Sequence, residues 1–241
     1  IIVSLFEKSH NSLDNLKNDY PELDSSLVFD DINKFISSIS KPRKVLVLVP
    51  SGPALDEVIS LLIQHLDSND ILIDGGNTNP NVSFENHQTI KSKNFLYLGM
   101  GVSGGVKGVL EGPSIMIGGD TNAFDQVKNI FSRITSETIN GSKSFEFFGD
   151  SNQGHFVKMI HNGIEYVEMQ LISSIYYLMI NSKKYSYEDV AKIFKKWNDI
   201  DLNSYLLEIS LLKLTEKTDD SYLLDRIDDK ADDNGTGRWM L

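Results

Sequence analysis

The chain has 241 residues, of which 40% are hydrophobic, and its formal net charge is −11 at pH 7. This length is enough for one large domain or two ordinary ones, and the acidic balance argues against nucleic acids and membrane surfaces as partners. The sequence contains no cysteine, no apolar run of membrane-spanning length and no signal-peptide pattern, which excludes thiolate chemistry and disulfide scaffolds and predicts a cytoplasmic protein.

The first half of the chain alternates short apolar runs with amphipathic segments. The predicted strands are IIVSL at the start, KVLVLV at 44–49, then DILIDGG and FLYLGMG. A helix is predicted over 53–66, with Pro53 at its start, where the missing N–H costs nothing. This alternation predicts an α/β fold over residues 1–150, a Rossmann-like parallel sheet with helices on both faces. Such sheets bind ligands at the C-terminal ends of their strands.

The segment GMGVSG at 99–104 matches the dinucleotide fingerprint G-x-G-x-x-G. A true fingerprint opens a helix, and the glycines and the proline of the following GVKGVLEGPSIMIGG argue against one. We therefore interpret the segment as a glycine-rich loop instead. Its backbone N–H groups and the Ser103 hydroxyl would approach a ligand closely.

The second half of the chain has helical patterns throughout. Helices are predicted over 156–181, 186–198 and 202–216, with a domain boundary near Asp150. The sequence thus predicts an all-helical domain over residues 151–241.

The first of these helices carries an unusual group of polar residues in GHFVKMIHNGIEY at 154–166. At about 100° per residue, four of them fall within one narrow stripe. These are Lys158, His161, Asn162 and Glu165. Ile160, Ile164, Val167 and Leu171 form the opposite, apolar side, and Met169 continues the polar stripe into a region expected to be dry. A solvated face is the plain alternative, but we favour a functional site, and we interpret His155 as structural.

An aspartate cluster, DDKADDNG at 228–235, suggests a calcium loop at first sight. The EF-hand register fails because Lys230 and Leu241 stand where acidic ligands are needed. We therefore predict a solvated acidic turn and no metal site.

Four segments in this order, DGGN, GVSGG…GPSIMIGG, GHFVKMIHNGIEY…MQL and NGTGRW, resemble the 6-phosphogluconate dehydrogenase family. The wider 3-hydroxyacid dehydrogenase superfamily shares the glycine-rich loop and the lysine, but KMIHNGIEY points to the 6-phosphogluconate branch. The resemblance implies an N-terminal domain that binds NADP, a helical domain, and a homodimer in which a C-terminal tail reaches the partner subunit. It implies NADP-dependent oxidative decarboxylation of 6-phosphogluconate to ribulose 5-phosphate.

The same resemblance assigns roles to single residues. Lys158 matches the general base that takes the proton of the substrate's C3 hydroxyl, and Glu165 matches the acid that protonates C1 of the enediol. The implied substrate contacts are Asn77, Ser103, Gly104, Gly105, His161, Asn162, Tyr166 and the phosphate contact Thr236. Asn77 and Glu7 are the implied cofactor contacts.

Several positions depart from the family pattern. The first strand and its glycine-rich turn would precede Ile1, which suggests a fragment whose activity alone is doubtful. Glu7 stands where a 2′-phosphate would need a cation, so NAD is the alternative cofactor. Pro50 and Asn234 replace lysines, and Asn234 has two aspartates beside it. Two other functions remain open: a non-catalytic homologue that binds a sugar phosphate or a partner subunit, and a sibling 3-hydroxyacid dehydrogenase.

Overall fold

The computed structural model describes residues 2–228, 230, 236 and 238–240. The chain divides into two compact units, Ile1–Lys158 and Met159–Leu241. The first is an α/β unit and the second consists mainly of helices, which confirms the predicted fold class. The boundary near Asp150 stays a prediction.

The first unit alternates strands and helices along most of its length. Its strands are β1 (Leu5–Phe6), β2 (Val28–Phe29), β3 (Lys44–Val47), β4 (Ile71–Asp74), β5 (Leu96–Ser103), β6 (Ser114–Gly119) and β7 (Phe145–Phe147). Its helices are α1 (His10–Asp19), α2 (Ile32–Ser38), α3 (Pro53–Ile63), α4 (Pro80–Ser92), α5 (Gly105–Glu111) and α6 (Thr121–Ile134). Pro53 is the first residue of α3, as predicted.

The main sheet has the strand order β3-β4-β5-β6-β7, and β1 and β2 form a separate parallel pair. Strands β3, β4 and β5 run parallel, as predicted, whereas β6, which was not predicted, runs antiparallel to β5. The chain between β5 and β6 is little more than the short helix α5, and a parallel crossover needs a longer connection. The predicted strand IIVSL was wrong in its bounds, since β1 shares only Leu5 with it and pairs through Leu5 and Phe6 with Val28 and Phe29 of β2.

The prediction that no helix follows GMGVSG was also wrong, since α5 begins at Gly105. Gly112, with φ +111°, caps the end of this helix, and Pro113 lies beyond it, so neither residue interrupts its hydrogen bonds. The fingerprint nevertheless requires a parallel βαβ unit, and β6 is antiparallel. The segment therefore still differs from a dinucleotide-binding turn.

The core of the first unit lies on both faces of the main sheet. Along β4, Leu72 belongs to one apolar cluster, whereas Ile71 and Ile73 belong to the other. Successive side chains of a strand point to opposite faces, so both faces of β4 are covered. This explains the unbroken apolar run of β4 in the sequence.

The second unit begins within α7 (Gln153–Asn181), which crosses the division at Lys158. It continues with α8 (Tyr187–Asp199) and α9 (Tyr205–Thr215), which confirms the three predicted helices. Ser186 begins α8 through a capping box with Asp189. A hairpin of β8 (Lys217–Thr218) and β9 (Ser221–Tyr222) was not predicted. Within the part of the chain that the structure describes, no helix has both the length and the apolar character needed to span a membrane.

Candidate active site

The turn after β4 is shaped by a buried carboxylate. Asp74 Oδ1 accepts a hydrogen bond from the Gly76 N–H at 3.0 Å, and Oδ2 accepts one from the Thr78 hydroxyl at 2.8 Å. Gly76 has no room for a side chain, since an added Cβ would lie 2.9 Å from the backbone oxygen of Val49. The turn is therefore closely defined, and it holds Asn77, half-buried, beyond the C-terminal end of β4.

The first turns of α7 pack directly on the backbone of β5. A Cβ added to Gly101 would lie 2.3 Å from the Lys158 Cβ, and one added to Gly154 would lie 2.3 Å from the carbonyl oxygen of Gly99. Any side chain at Gly101 or Gly154 would push the helix away from the sheet. Lys158 is consequently buried, with 9% of its surface exposed.

The glycine-rich turn follows β5 at the same end of the sheet. Gly104 has φ +129° and Gly105 has φ +56°, values that residues with side chains rarely adopt. Since β4 and β5 are parallel, the turn that begins at Ser103 and the turn that holds Asn77 lie at the same edge. Five predicted site residues thus belong to one region of the first unit, because Lys158 lies over β5 beside this edge.

The second unit holds five further predicted site residues. Asn162 Nδ2 donates to the Thr236 hydroxyl at 2.9 Å, and the Tyr166 hydroxyl lies 3.3 Å from the same oxygen. Asn162 and Thr236 are both buried. His161 Nδ1 lies 3.1 Å from Asn162 Oδ1 and 3.7 Å from Glu165 Oε2. These five residues form one continuous polar group.

The two sides of α7 are not buried as the sequence suggested. Four apolar residues expected in dry surroundings are exposed: Ile164 (63%), Val167 (61%), Leu171 (58%) and Met169 (40%). The polar stripe instead holds two buried residues, Lys158 and Asn162. Helical periodicity gives the relative directions of side chains, but it does not show which direction is covered.

The sequence did not reveal a buried hydrogen-bond network of polar side chains in the first unit. His155 Nδ1 lies 2.8 Å from Ser83 Oγ, which lies 3.1 Å from the Tyr97 hydroxyl. Burial and the charge of Asp74 raise the pKa of Tyr97, so its protonated hydroxyl donates to Asp74 Oδ2 at 3.3 Å. Burial lowers the pKa of His155, which keeps the imidazole neutral near pH 7. Ser83 carries no sequence signal of this contact, since it stands 72 positions before His155.

Glu7 is exposed just beyond β1. Its Oε1 accepts a hydrogen bond from the Ser9 N–H at 2.8 Å, at the start of α1. The neighbouring Lys8 pairs with Glu57 of α3 at 2.6 Å. The nearest cation in the sequence is thus already bound to a carboxylate.

Two interpretations fall largely outside the residues that the structure describes. In the aspartate cluster, Asp228 and Lys230 are described, and they form an exposed ion pair at 2.8 Å. Asp232, Asp233 and Asn234, which concern the calcium alternative and the missing lysine, lie outside the described residues.

Two family models together match most of the chain. Residues 1–142 match the NAD binding domain of 6-phosphogluconate dehydrogenase. Residues 154–241 match the 6-phosphogluconate dehydrogenase C-terminal domain.

Curated relatives are similar across the same region. The decarboxylating 6-phosphogluconate dehydrogenase of Staphylococcus epidermidis is 38% identical over 98% of this chain and 51% of its own length. The Staphylococcus aureus enzyme of the same name is 42% identical over 86% of this chain and 45% of its own length. The chain therefore spans about half the length of these relatives.

Solved structures agree with this similarity. Plasmodium falciparum 6-phosphogluconate dehydrogenase, studied in its apo form and with NADP+ or 6-phosphogluconate, has a TM-score of 0.88 and 38% identity over 97% of this chain and 50% of its own. Mycobacterium tuberculosis 3-hydroxyisobutyrate dehydrogenase has a TM-score of 0.61 and 18% identity over 75% of this chain and 57% of its own, which indicates a shared fold alone. On the two family models and the relatives together, the chain belongs to the 6-phosphogluconate dehydrogenase family.

Proposed function

We propose that this chain supplies the coenzyme domain, residues 1–150, and the first part of the helical domain, residues 151–241, of an NADP-dependent 6-phosphogluconate dehydrogenase. The reaction is the oxidative decarboxylation of 6-phosphogluconate to ribulose 5-phosphate. The observation that carries the proposal is the buried Lys158, packed on Gly101 beside the edge where β4 and β5 end. A buried amine beside a ligand-binding edge is typical of a catalytic group.

The edge of the sheet suits a dinucleotide. Gly52, the N-cap of α3 just after β3, has no side-chain cap, and a Cβ added there would meet nothing within 4 Å. Asn77 supplies an amide beyond the neighbouring β4. Open space, a helix N-terminus without a side-chain cap and an amide at adjacent strand ends fit the phosphates and ribose of NADP. We propose Asn77 and Glu7 as cofactor contacts; when bound, NADP supplies the hydride acceptor.

The proton transfers fall to two residues of α7. Lys158 accepts the proton of the C3 hydroxyl as the C3 hydrogen leaves as hydride, which produces a 3-keto acid. This acid loses CO2, and Glu165 donates a proton to C1 of the enediol that remains. The two residues are about two helical turns apart on the same stripe of α7, and His161 near the Glu165 carboxylate orients it.

The remaining polar groups bind the substrate. The turn at 103–105 offers the Ser103 hydroxyl and backbone N–H groups whose approach is unobstructed by side chains at Gly104 and Gly105. The Asn162 amide nitrogen and the Tyr166 hydroxyl, which both bind the Thr236 hydroxyl in this structure, offer further polar groups to the substrate. We propose that Thr236 contacts the phosphate of the substrate.

A second copy of the chain is the proposed partner. The exposed apolar residues Ile164, Val167 and Leu171 form a stripe on α7 that a homodimer would cover. Light scattering on the full-length protein tests this, and a monomer at micromolar concentration would contradict it. A cytoplasmic location stays a prediction, which cell fractionation tests.

The decisive experiment measures NADPH formation from 6-phosphogluconate by the full-length protein that carries this chain. We expect turnover with release of CO2. Binding of 6-phosphogluconate without turnover would instead indicate a non-catalytic homologue. Turnover of 3-hydroxyisobutyrate but not of 6-phosphogluconate would indicate a sibling 3-hydroxyacid dehydrogenase.

A further inference from the structure

The buried hydrogen-bond network of His155, Ser83, Tyr97 and Asp74 connects four elements of the first unit. His155 belongs to the first turn of α7, Ser83 to α4, Tyr97 to β5 and Asp74 to β4. Asp74, Ser83 and Tyr97 are 0% exposed and His155 is 2% exposed. Buried polar networks of this kind destabilise the fold unless their members are hydrogen-bonded. When they are hydrogen-bonded, they favour one arrangement of the elements that they join.

The two ends of this hydrogen-bond network, Asp74 and His155, adjoin the two parts of the proposed site that lie in the first unit. At one end, the Asp74 carboxylate shapes the turn that holds Asn77, through Gly76 and Thr78. At the other end, His155 lies one helical turn before Lys158 on α7. A displacement at either end would therefore be transmitted to the other through side-chain bonds.

His155 and Lys158 also contact the same face of β5. A Cβ added to Gly99 would lie 2.8 Å from His155 Nδ1 and 2.9 Å from Ser83 Oγ. A Cβ added to Gly101 would lie 2.3 Å from the Lys158 Cβ. Gly99 and Gly101 are two positions apart on the strand, so they share a face, and the two α7 residues occupy the space above both.

We propose that His155 is a positioning residue: through Ser83, Tyr97 and Asp74 it holds the α7 turn that carries Lys158 in register with the turn that carries Asn77. His155 itself takes no part in proton transfer. The catalytic part of this inference depends on the proposed function, whereas the mechanical link between the two turns does not.

Kinetics of the full-length protein test the catalytic part. His155→Leu and Ser83→Ala should lower kcat by about tenfold or more, because a small misplacement of the base slows the chemical step strongly. Both variants should keep KM for 6-phosphogluconate within about threefold of the wild-type value. His155→Asn should restore most of kcat, because its amide can occupy the Nδ1 position beside Ser83. Val127→Ala, which opens a cavity under α6 in the same unit, is the matched control for lost stability. Equal kinetic losses in Val127→Ala and Ser83→Ala at equal loss of stability would overturn the proposal.

Hydrogen exchange tests the mechanical link independently of any activity. Ser83→Ala should speed amide exchange both in residues 154–158 and in residues 75–78, while exchange in β3 stays unchanged. Faster exchange confined to α4 would overturn the link. An inactive wild-type protein in which both segments respond would disprove the proposed function and support the link. An active wild-type protein in which Ser83→Ala changes neither kcat nor amide exchange would support the proposed function and overturn the link.

Discussion

Gly101 of β5 and Lys158 of α7 approach so closely that a Cβ on the glycine would lie 2.3 Å from the Cβ of the lysine. Real Cβ atoms do not come this near to one another, so one of the two elements would have to move. The lysine therefore stands where it does because position 101 has no side chain.

Replacing Gly101 by alanine should displace the start of α7 and lower kcat by about 100-fold, because the base loses its alignment. Gly141→Ala is the control, since a Cβ there meets nothing within 4 Å although φ is +78°. Steady-state kinetics and thermal unfolding of both variants check this prediction. Normal kcat in Gly101→Ala would show that the contact has no role in catalysis.

Lys158→Met should lower kcat by about 10²- to 10⁴-fold while the fold is retained, because methionine keeps the apolar stem and removes the base. Glu165→Gln should also reduce turnover, because an amide cannot deliver the proton to C1. Lys192→Met on α8 and Glu168→Gln on α7 are the matched controls. A near-normal rate in Lys158→Met would refute its assignment as the base.

Thr236→Val should destabilise the protein by about 1–3 kcal/mol, because it leaves the buried amide of Asn162 without its acceptor. The same change should raise KM for 6-phosphogluconate, since we assign Thr236 to the phosphate. Urea unfolding and initial rates provide the two measurements. The exposed Thr218→Val should alter neither, and an unchanged KM in Thr236→Val would contradict the phosphate assignment.

Glu7 should weaken the preference for NADP, because a carboxylate repels a 2′-phosphate and suits a ribose hydroxyl. Glu7→Gln should raise the ratio of kcat/KM for NADP over NAD by about tenfold, because it removes the carboxylate that we place beside the 2′ position of the cofactor. Glu22→Gln, which removes a carboxylate elsewhere on the surface, should leave this ratio unchanged. Both cofactors are compared with each variant. If the wild type strongly prefers NADP and Lys8→Met keeps that preference, the assignment of Glu7 to the cofactor ribose is contradicted.

Asp120 should make stability depend on pH in the acid range. Burial raises its pKa, but His87, whose Nε2 lies 3.3 Å from Oδ2, and the hydrogen bond from the Tyr97 N–H lower it by more, so the folded pKa lies below the ordinary value. Such a carboxyl contributes stability above its unfolded pKa of about 3.9, and this is lost as the pH falls through the folded pKa. The free energy of unfolding should fall between about pH 5 and pH 3, and less steeply in Asp120→Asn than in Asp125→Asn.

Local patterns in the sequence were sufficient for much of this fold. The three helices of the second half follow from their apolar spacing, and Pro53 and Ser186 mark two helix starts because their chemistry acts on adjacent backbone groups. The polar stripe of Lys158, His161, Asn162 and Glu165 is a consequence of helical periodicity alone. Each of these properties depends on residues within a few positions of one another.

Contacts between distant segments decided the rest. The antiparallel direction of β6, the burial of the polar rather than the apolar side of α7, and the bond between His155 and Ser83 each depend on which elements meet. Periodicity cannot supply this information, because it gives the direction of a side chain relative to its own helix or strand and not the neighbour it faces. The glycine at position 101 is one letter in the sequence, and only the packing of α7 on β5 shows why a side chain there is excluded.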